Sequence, residues 1–192
     1  MLRRLYQWTM SLAQSRYALL ILALISFFEA SVFPIPPDAL MIPMILAAPR
    51  KAFLIAGVTT ISSVLGGTLG YGAGVYLFEE VGRPVLEFYG KTGAFETFKH
   101  YYNELGPAIL LLSGITPFPF KVTTILSGAT GLDFGLFVAF TFVGRGVRFF
   151  VVATLLWKYG PDIRHFIEKR LGTVFTIGLL ALLGGFLILW VI

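Results

Sequence analysis

Five ionisable side chains stand inside apolar stretches of this 192-residue chain: Glu29, Asp38, Lys121, Arg145 and Arg148. A charge at the centre of a bilayer costs about 2.5–3.5 kcal/mol on insertion scales, so such residues mark functional sites by default. Desolvation favours the neutral form of a carboxylate, which suits Glu29 and Asp38 for proton exchange near neutral pH. Arg145 and Arg148 are three residues apart and share one helix face. The planar guanidinium fits phosphate bidentately. With every group ionised, three bases face two acids and one positive charge is left over. A cavity of that sign suits a phosphomonoester, which carries about −1.5 to −2. A plainer role is also open, in which the charges cancel as buried ion pairs that hold two halves of the protein together.

The elements that must position these groups follow from hydropathy. The chain is 57% hydrophobic and 13% charged, with a mean hydropathy of +0.84. Soluble domains carry about 25% charged residues, so this composition specifies an all-α integral membrane protein with no room for a separate soluble domain. There is no cysteine, hence no disulfide, thiolate nucleophile or cysteine metal site. His100 and His165 fall in polar segments and are read as solvated loop residues, so neither a metal nor any other cofactor is expected. No nucleophile, base and acid stand together, Ser113 and Ser127 have no basic partner in sequence, and Asp133 falls at a segment boundary, so an enzyme is not expected.

The apolar segments are 17–32, 39–48, 52–78, 107–116, 122–131, 134–157 and 173–192. Only 52–78, 134–157 and 173–192 reach the roughly 20 residues a span needs. The short segments come in pairs, joined by "FPIPPD" with Pro34, Pro36 and Pro37, and by "TPFPFK" with Pro117 and Pro119. Proline removes a donor and clashes with the preceding turn, so each pair is read as a re-entrant hairpin, 17–48 and 107–131. In both, the charged residue (Asp38, Lys121) lies four positions after the first proline. Paired interrupted segments of this kind point to a transporter-like inverted repeat. "SSVLGGTLGYGAG" and the glycines of "FVGRGVRFF" supply thin helix surfaces for close packing.

Residues 1–16 read as a retained amphipathic interfacial helix, 17–160 as the hairpin-bearing membrane domain, and 161–192 as a cytoplasmic loop and last transmembrane helix. Nine basic residues (Arg3, Arg4, Arg16, Arg50, Lys51, Lys158, Arg164, Lys169 and Arg170) fall on one side of that arrangement. Segment 79–106 has three bases against five acids and falls on the other. The positive-inside rule then places the N-terminus in the cytoplasm and brings the two hairpins in from opposite faces.

Taken together, Glu29, the Pro34-x-Pro36-Pro37-Asp38 joint, "TPFPFK", "GRGVRFF" and the paired hairpins resemble the DedA family of bacterial membrane proteins, over about residues 17–160, and its small YqaA-type branch in particular. The resemblance implies the VTT domain shared with eukaryotic lipid scramblases, a bacterial inner-membrane location, and transport of phospho-lipids such as undecaprenyl phosphate, in some members driven by the proton-motive force. The family's acids map onto Glu29 and Asp38. Better-known members carry two arginines around a proline of the second hairpin. Here Gly114 stands near the first position and Lys121 near the second, one place out of register, and Arg145 and Arg148 are expected to supply the missing charge. The function expected is a proton-linked flippase or scramblase of anionic phospho-lipids. The alternatives are a small-ion or solute transporter on the same hairpins, or a non-transport membrane-assembly protein. The expected partners are membrane lipids, with a homo-oligomer left open and nucleic acid excluded.

Single cysteines introduced at positions 50 and 165 should label from the cytoplasmic side, and at 91 and 100 from outside. External labelling at 50 would contradict the orientation of the first hairpin.

Overall fold

The computed structural model describes residues 15, 17–31, 36–116 and 120–169, the last nine of these as backbone. The described residues form helices and no strand: α1 (Ala18–Ser31), α2 (Asp38–Ala47), a short 3-10 turn (Pro49–Lys51), α3 (Ala52–Leu77), a π-helical turn (Phe78–Gly82), α4 (Arg83–Phe88), α5 (Thr92–Ile115), α6 (Phe120–Ala129) and α7 (Phe134–Lys169). Two helical stretches, Pro49–Phe88 and Phe134–Gly160, are long and apolar enough to cross a membrane. The expected N-terminal amphipathic helix, the last span 173–192, and the breakers Pro34, Pro117 and Pro119 lie outside the described residues.

The two long helices run antiparallel and set the register for the rest. Phe53 meets Trp157 at 5.9 Å between ring centroids, and Tyr71 meets Phe134 at 5.4 Å, at the opposite end. Between them, a Cβ placed on Gly146 would lie 3.8 Å from the Thr60 methyl. The short helices align with one or the other. α1 runs in the direction of α3: Ser26 Oγ donates to the Thr59 carbonyl at 2.9 Å, and the Phe27 carbonyl lies over Gly66. α6 runs in that direction too, with Phe120 beside Gly67 and the Ile125 carbonyl against Gly74. α2 and α5 instead follow α7. Asp38 pairs with Arg148 while Leu46 lies beside Gly160, and Leu132 faces Gly106 while Gly144 faces Gly114.

One consequence is geometric. α1 ends, and α6 begins, level with Gly66–Gly70 in the middle of α3. α5 ends, and α2 begins, level with Gly144–Arg148 in the middle of the apolar part of α7. Four helix ends, each with unsatisfied backbone groups, therefore fall along the middle stretches of the two long helices. Pro36 and Pro37 start α2 there. Their carbonyls accept from Ala39 N–H (3.2 Å) and Met41 N–H (2.8 Å), and a proline at a helix start loses no hydrogen bond.

Two segments differ from expectation. The half-helix expected at 107–116 is the end of a 24-residue α5, so the polar stretch 92–106 is largely helix rather than loop, and His100 sits on its exposed face, 3.4 Å from Glu104. Hydropathy divided this helix at Pro107, but Tyr102, Gly106, Leu110 and Ser113 are buried along one face and carry it through. Likewise α7 continues as backbone helix to Lys169, where a loop is expected from residue 161.

Close approach makes some glycines irreplaceable and leaves others free. A Cβ on Gly66 would collide with the Phe27 backbone, whereas one on Gly72 meets nothing within 4 Å. Gly66→Ala should therefore destabilise the protein by about 1–3 kcal/mol. Gly72→Ala should be neutral or stabilising by up to about 1 kcal/mol. Thermal unfolding in detergent measures both. Equal effects would contradict the α1–α3 packing.

Candidate functional site

Arg145 and Arg148 of α7 each reach one helix end from each half of the chain. Arg145 Nη2 donates to Glu29 Oε2 at 2.6 Å, near the end of α1, and its guanidinium lies 4.1 Å over the ring of Phe120, the first residue of α6. Arg148 Nη2 donates to Asp38 Oδ2 at 2.7 Å, at the start of α2, while its Nη1 donates to the Thr116 carbonyl at 3.0 Å, just past the end of α5. Two adjacent turns of one helix thus tie all four broken ends together.

Helix electrostatics explain part of the arrangement. Asp38 sits at the positive end of α2, where a carboxylate is favoured, and Arg148 neutralises a terminal carbonyl at the negative end of α5. Glu29 stands near the negative end of α1 and depends on Arg145 for its partner. The Glu29–Arg145 pair is also the deeper one. Arg145 is 2% exposed, whereas the side chains of Asp38 and Arg148 keep 20% and 23%. An aromatic face offsets part of the cost of desolvating a cation, and Phe120 provides it.

Of the five charges singled out from sequence, four are thus joined in two pairs. Lys121 is the fifth. It is half-buried, in the first turn of α6, and among the described residues its ammonium has neither an ion pair nor a hydrogen bond. The excess positive charge expected from the composition of the site is therefore localised on α6.

Position 114 shows why the second-hairpin arginine of the resemblance is absent. A Cβ there would lie 3.0 Å from the Gly144 backbone and 3.1 Å from Arg145 N. The two helices cross on paired glycines, and the adjoining guanidinium comes from α7 instead. The "RFF" aromatics divide. Phe149 is buried, 6.0 Å from the Arg148 guanidinium and 5.6 Å from that of Arg145, while Phe150 faces outward and stacks on Phe53.

Sequence reasoning missed two partners, the Phe120 ring and the Thr116 carbonyl. Both belong to "TPFPFK", where an aromatic directly before the lysine was the available signal. A hydroxyl network completes the α5–α6 contact. Ser113 and Thr123 share a hydrogen bond at 3.1 Å, and Tyr102 Oη donates to the Thr123 carbonyl at 3.1 Å and lies 3.2 Å from Ser127 Oγ. Ser113 and Ser127 are therefore structural ties here. Asp133 caps α7 by accepting from Leu136 N–H at 2.8 Å.

The comparisons with known proteins fit this picture. Residues 33–158 match the family model of the VTT domain. The chain is 34% identical over 168 residues to an uncharacterized protein of Haemophilus influenzae, a match covering 85% of this chain and 87% of that one. An uncharacterized protein of Histophilus somni matches at 33% with the same coverage. No solved structure matches.

The specific pairing makes a matched test possible. Removing one member of a buried pair leaves an uncompensated charge and costs about 3–5 kcal/mol, so Arg145→Gln should strongly destabilise the protein. Glu29→Gln/Arg145→Gln should recover most of that loss. Glu29→Gln/Arg148→Gln breaks both pairs and should recover none. Equal behaviour of the two double variants in thermal unfolding would contradict the pairing.

Proposed function

This chain belongs to the VTT domain family of membrane proteins, the DedA family, and on that footing we propose that it carries an anionic phospho-lipid, such as a polyprenyl phosphate or a phospholipid, across the bacterial inner membrane. The family is generally one of transporters rather than enzymes. In this reading the chain segments 17–48 and 107–131 are re-entrant hairpins that enter from opposite faces, with the N-terminus in the cytoplasm. The placement of the four helix ends partway along the two long helices and the one-sided basic loops support it.

The observation that carries the proposal is Lys121. A helix N-terminus already bears positive partial charge, so a carboxylate belongs there on grounds of stability, as Asp38 does on α2. α6 places a lysine there instead, with no acid opposite it among the described residues and with Arg145 lying over the preceding ring. Helix N–H groups, an ammonium and a guanidinium together form an anion-binding environment. The lipid phosphate binds at this end of α6 and competes with Asp38 and Glu29 for Arg148 and Arg145. A displaced carboxylate takes up a proton, and re-forming the ion pair releases both proton and lipid. The lysine supplies a point charge and the arginines supply directed, bidentate contacts.

Reconstitution into liposomes with labelled polyprenyl phosphate or phospholipid, with and without a pH gradient, tests the reading. Lys121→Gln should lower flux several-fold while leaving thermal stability unchanged or raised, because it relieves a clash with the helix dipole. Arg148→Lys should lower flux although charge is kept. Glu29→Gln and Asp38→Asn should abolish dependence on the pH gradient. Wild-type flux in all four would leave the charges with a structural role alone, and ion flux without lipid movement would favour a small-ion transporter.

A further inference from the structure

Three buried polar atoms of α3 and α7 have no hydrogen-bond partner among the described residues: Ser63 Oγ on α3, Thr141 Oγ1 on α7, and Nε of Arg145. All three residues are buried, Ser63 and Thr141 completely and Arg145 to within 2%. A dry orphan hydroxyl in a low-dielectric interior is costly, and native proteins seldom keep one without reason.

The helix register brings the three to one place. Thr141 and Arg145 are four residues apart on one face of α7. The antiparallel contacts Thr60 with Gly146, and Tyr71 with Phe134 and Phe137, set Ser63 at a depth between Thr141 and Arg145. Around α3, Ser63 stands one turn from Thr60, which faces α7, and one turn from Gly66, which faces α1. It therefore turns to the seam between α1 and α7, where Glu29 meets Arg145. Neighbouring hydroxyls are already satisfied: Thr59 and Thr60 donate to carbonyls of their own helix at 2.7 and 2.8 Å, and Ser26 to Thr59.

We infer that Ser63, Thr141 and Arg145 Nε hold buried water on the inner side of the Glu29–Arg145 pair. A buried water makes about three hydrogen bonds, usually to groups the protein leaves unpaired, and this seam offers two hydroxyls and one guanidinium N–H. The water keeps Arg145 solvated without a second acid. It also gives Glu29 a proton donor and acceptor that does not pass through Asp38 or Lys121. This last role rests on the proton-linked reading above, whereas the site itself does not.

The test is the sign of a stability change in the full-length protein in detergent. Thr141→Val keeps shape and removes the hydroxyl, and Ser63→Ala is the milder companion. A hydrated site predicts that each lowers Tm by about 3 °C. It also predicts that the double variant falls by less than the sum, because both lose the same water. A dry seam predicts the reverse, with Tm unchanged or raised in each single variant. Additive losses would mean two unrelated hydroxyls, and they too would overturn a shared site. If Thr141→Val does not fold, the sign for Ser63→Ala decides. These outcomes are independent of lipid flux. Lost flux in Lys121→Gln with unchanged Tm effects at Ser63 and Thr141 would remove the water site and keep the transporter. Lowered Tm with normal flux in every charge variant would do the opposite.

Discussion

Two guanidinium groups, one turn apart on α7, are the constraint on which the rest of the structure depends. Arg145 and Arg148 hold Glu29, Phe120, Asp38 and the Thr116 carbonyl, and so the ends of α1, α6, α2 and α5. A helix that stops inside an apolar slab leaves carbonyls or N–H groups unpaired, and irregular backbone is tolerated there only when protein or a water-filled cavity surrounds it. The arginines supply part of that surrounding. Glycine crossings supply the rest: at Gly66 and Gly74 no Cβ fits, and at Gly114 and Gly144 one would crowd the facing backbone.

Such an arrangement is a poor choice for stability alone. Desolvating two ion pairs offsets most of their Coulomb attraction, and well-packed apolar residues of similar volume would serve as well or better. What the charges add is a set of contacts that can be exchanged. A carboxylate and a phosphate compete for the same fork of donors, and in the proposed transport reading each exchange would free a helix end from its partner. The two pairs differ in depth, with Asp38–Arg148 the more accessible. In the proposed transport reading, the more accessible Asp38–Arg148 pair is the first to open.

Much of this was legible in the sequence, for reasons that can be named. Charges in apolar runs are rare enough to announce themselves, so all five residues of the cluster stood out. The one-acid-one-base matching did not, because spacing within α7 cannot say which of two arginines meets Glu29. That is fixed by where α1 and α2 dock along α3 and α7. The proline joints marked the helix breaks, but hydropathy placed the start of α5 too late. Residues 92–106 are polar on their exposed face and become helical through burial of Tyr102 and Gly106, a periodicity that an average over residues conceals. Phe120 was hidden differently. An aromatic in an apolar chain carries no signal until a cation is found over it. The resemblance to DedA proteins was also legible, and the match of residues 33–158 to the VTT domain bears it out. Its second-hairpin arginines were not transferable, because Gly114 is committed to the crossing with Gly144.

The pairing itself can be observed directly by solid-state NMR in bilayers, measuring dipolar coupling between labelled arginine Nη and the carboxylate carbons of Asp and Glu. Among the described residues, two short couplings within about 4 Å are expected for direct ion pairs besides the exposed Arg83–Glu79 contact. Glu29→Gln should erase the one assigned to Arg145 and Asp38→Asn the one assigned to Arg148, each leaving the other in place. Loss of both couplings in either variant, or survival of both, would contradict the one-to-one clamp on which this account rests.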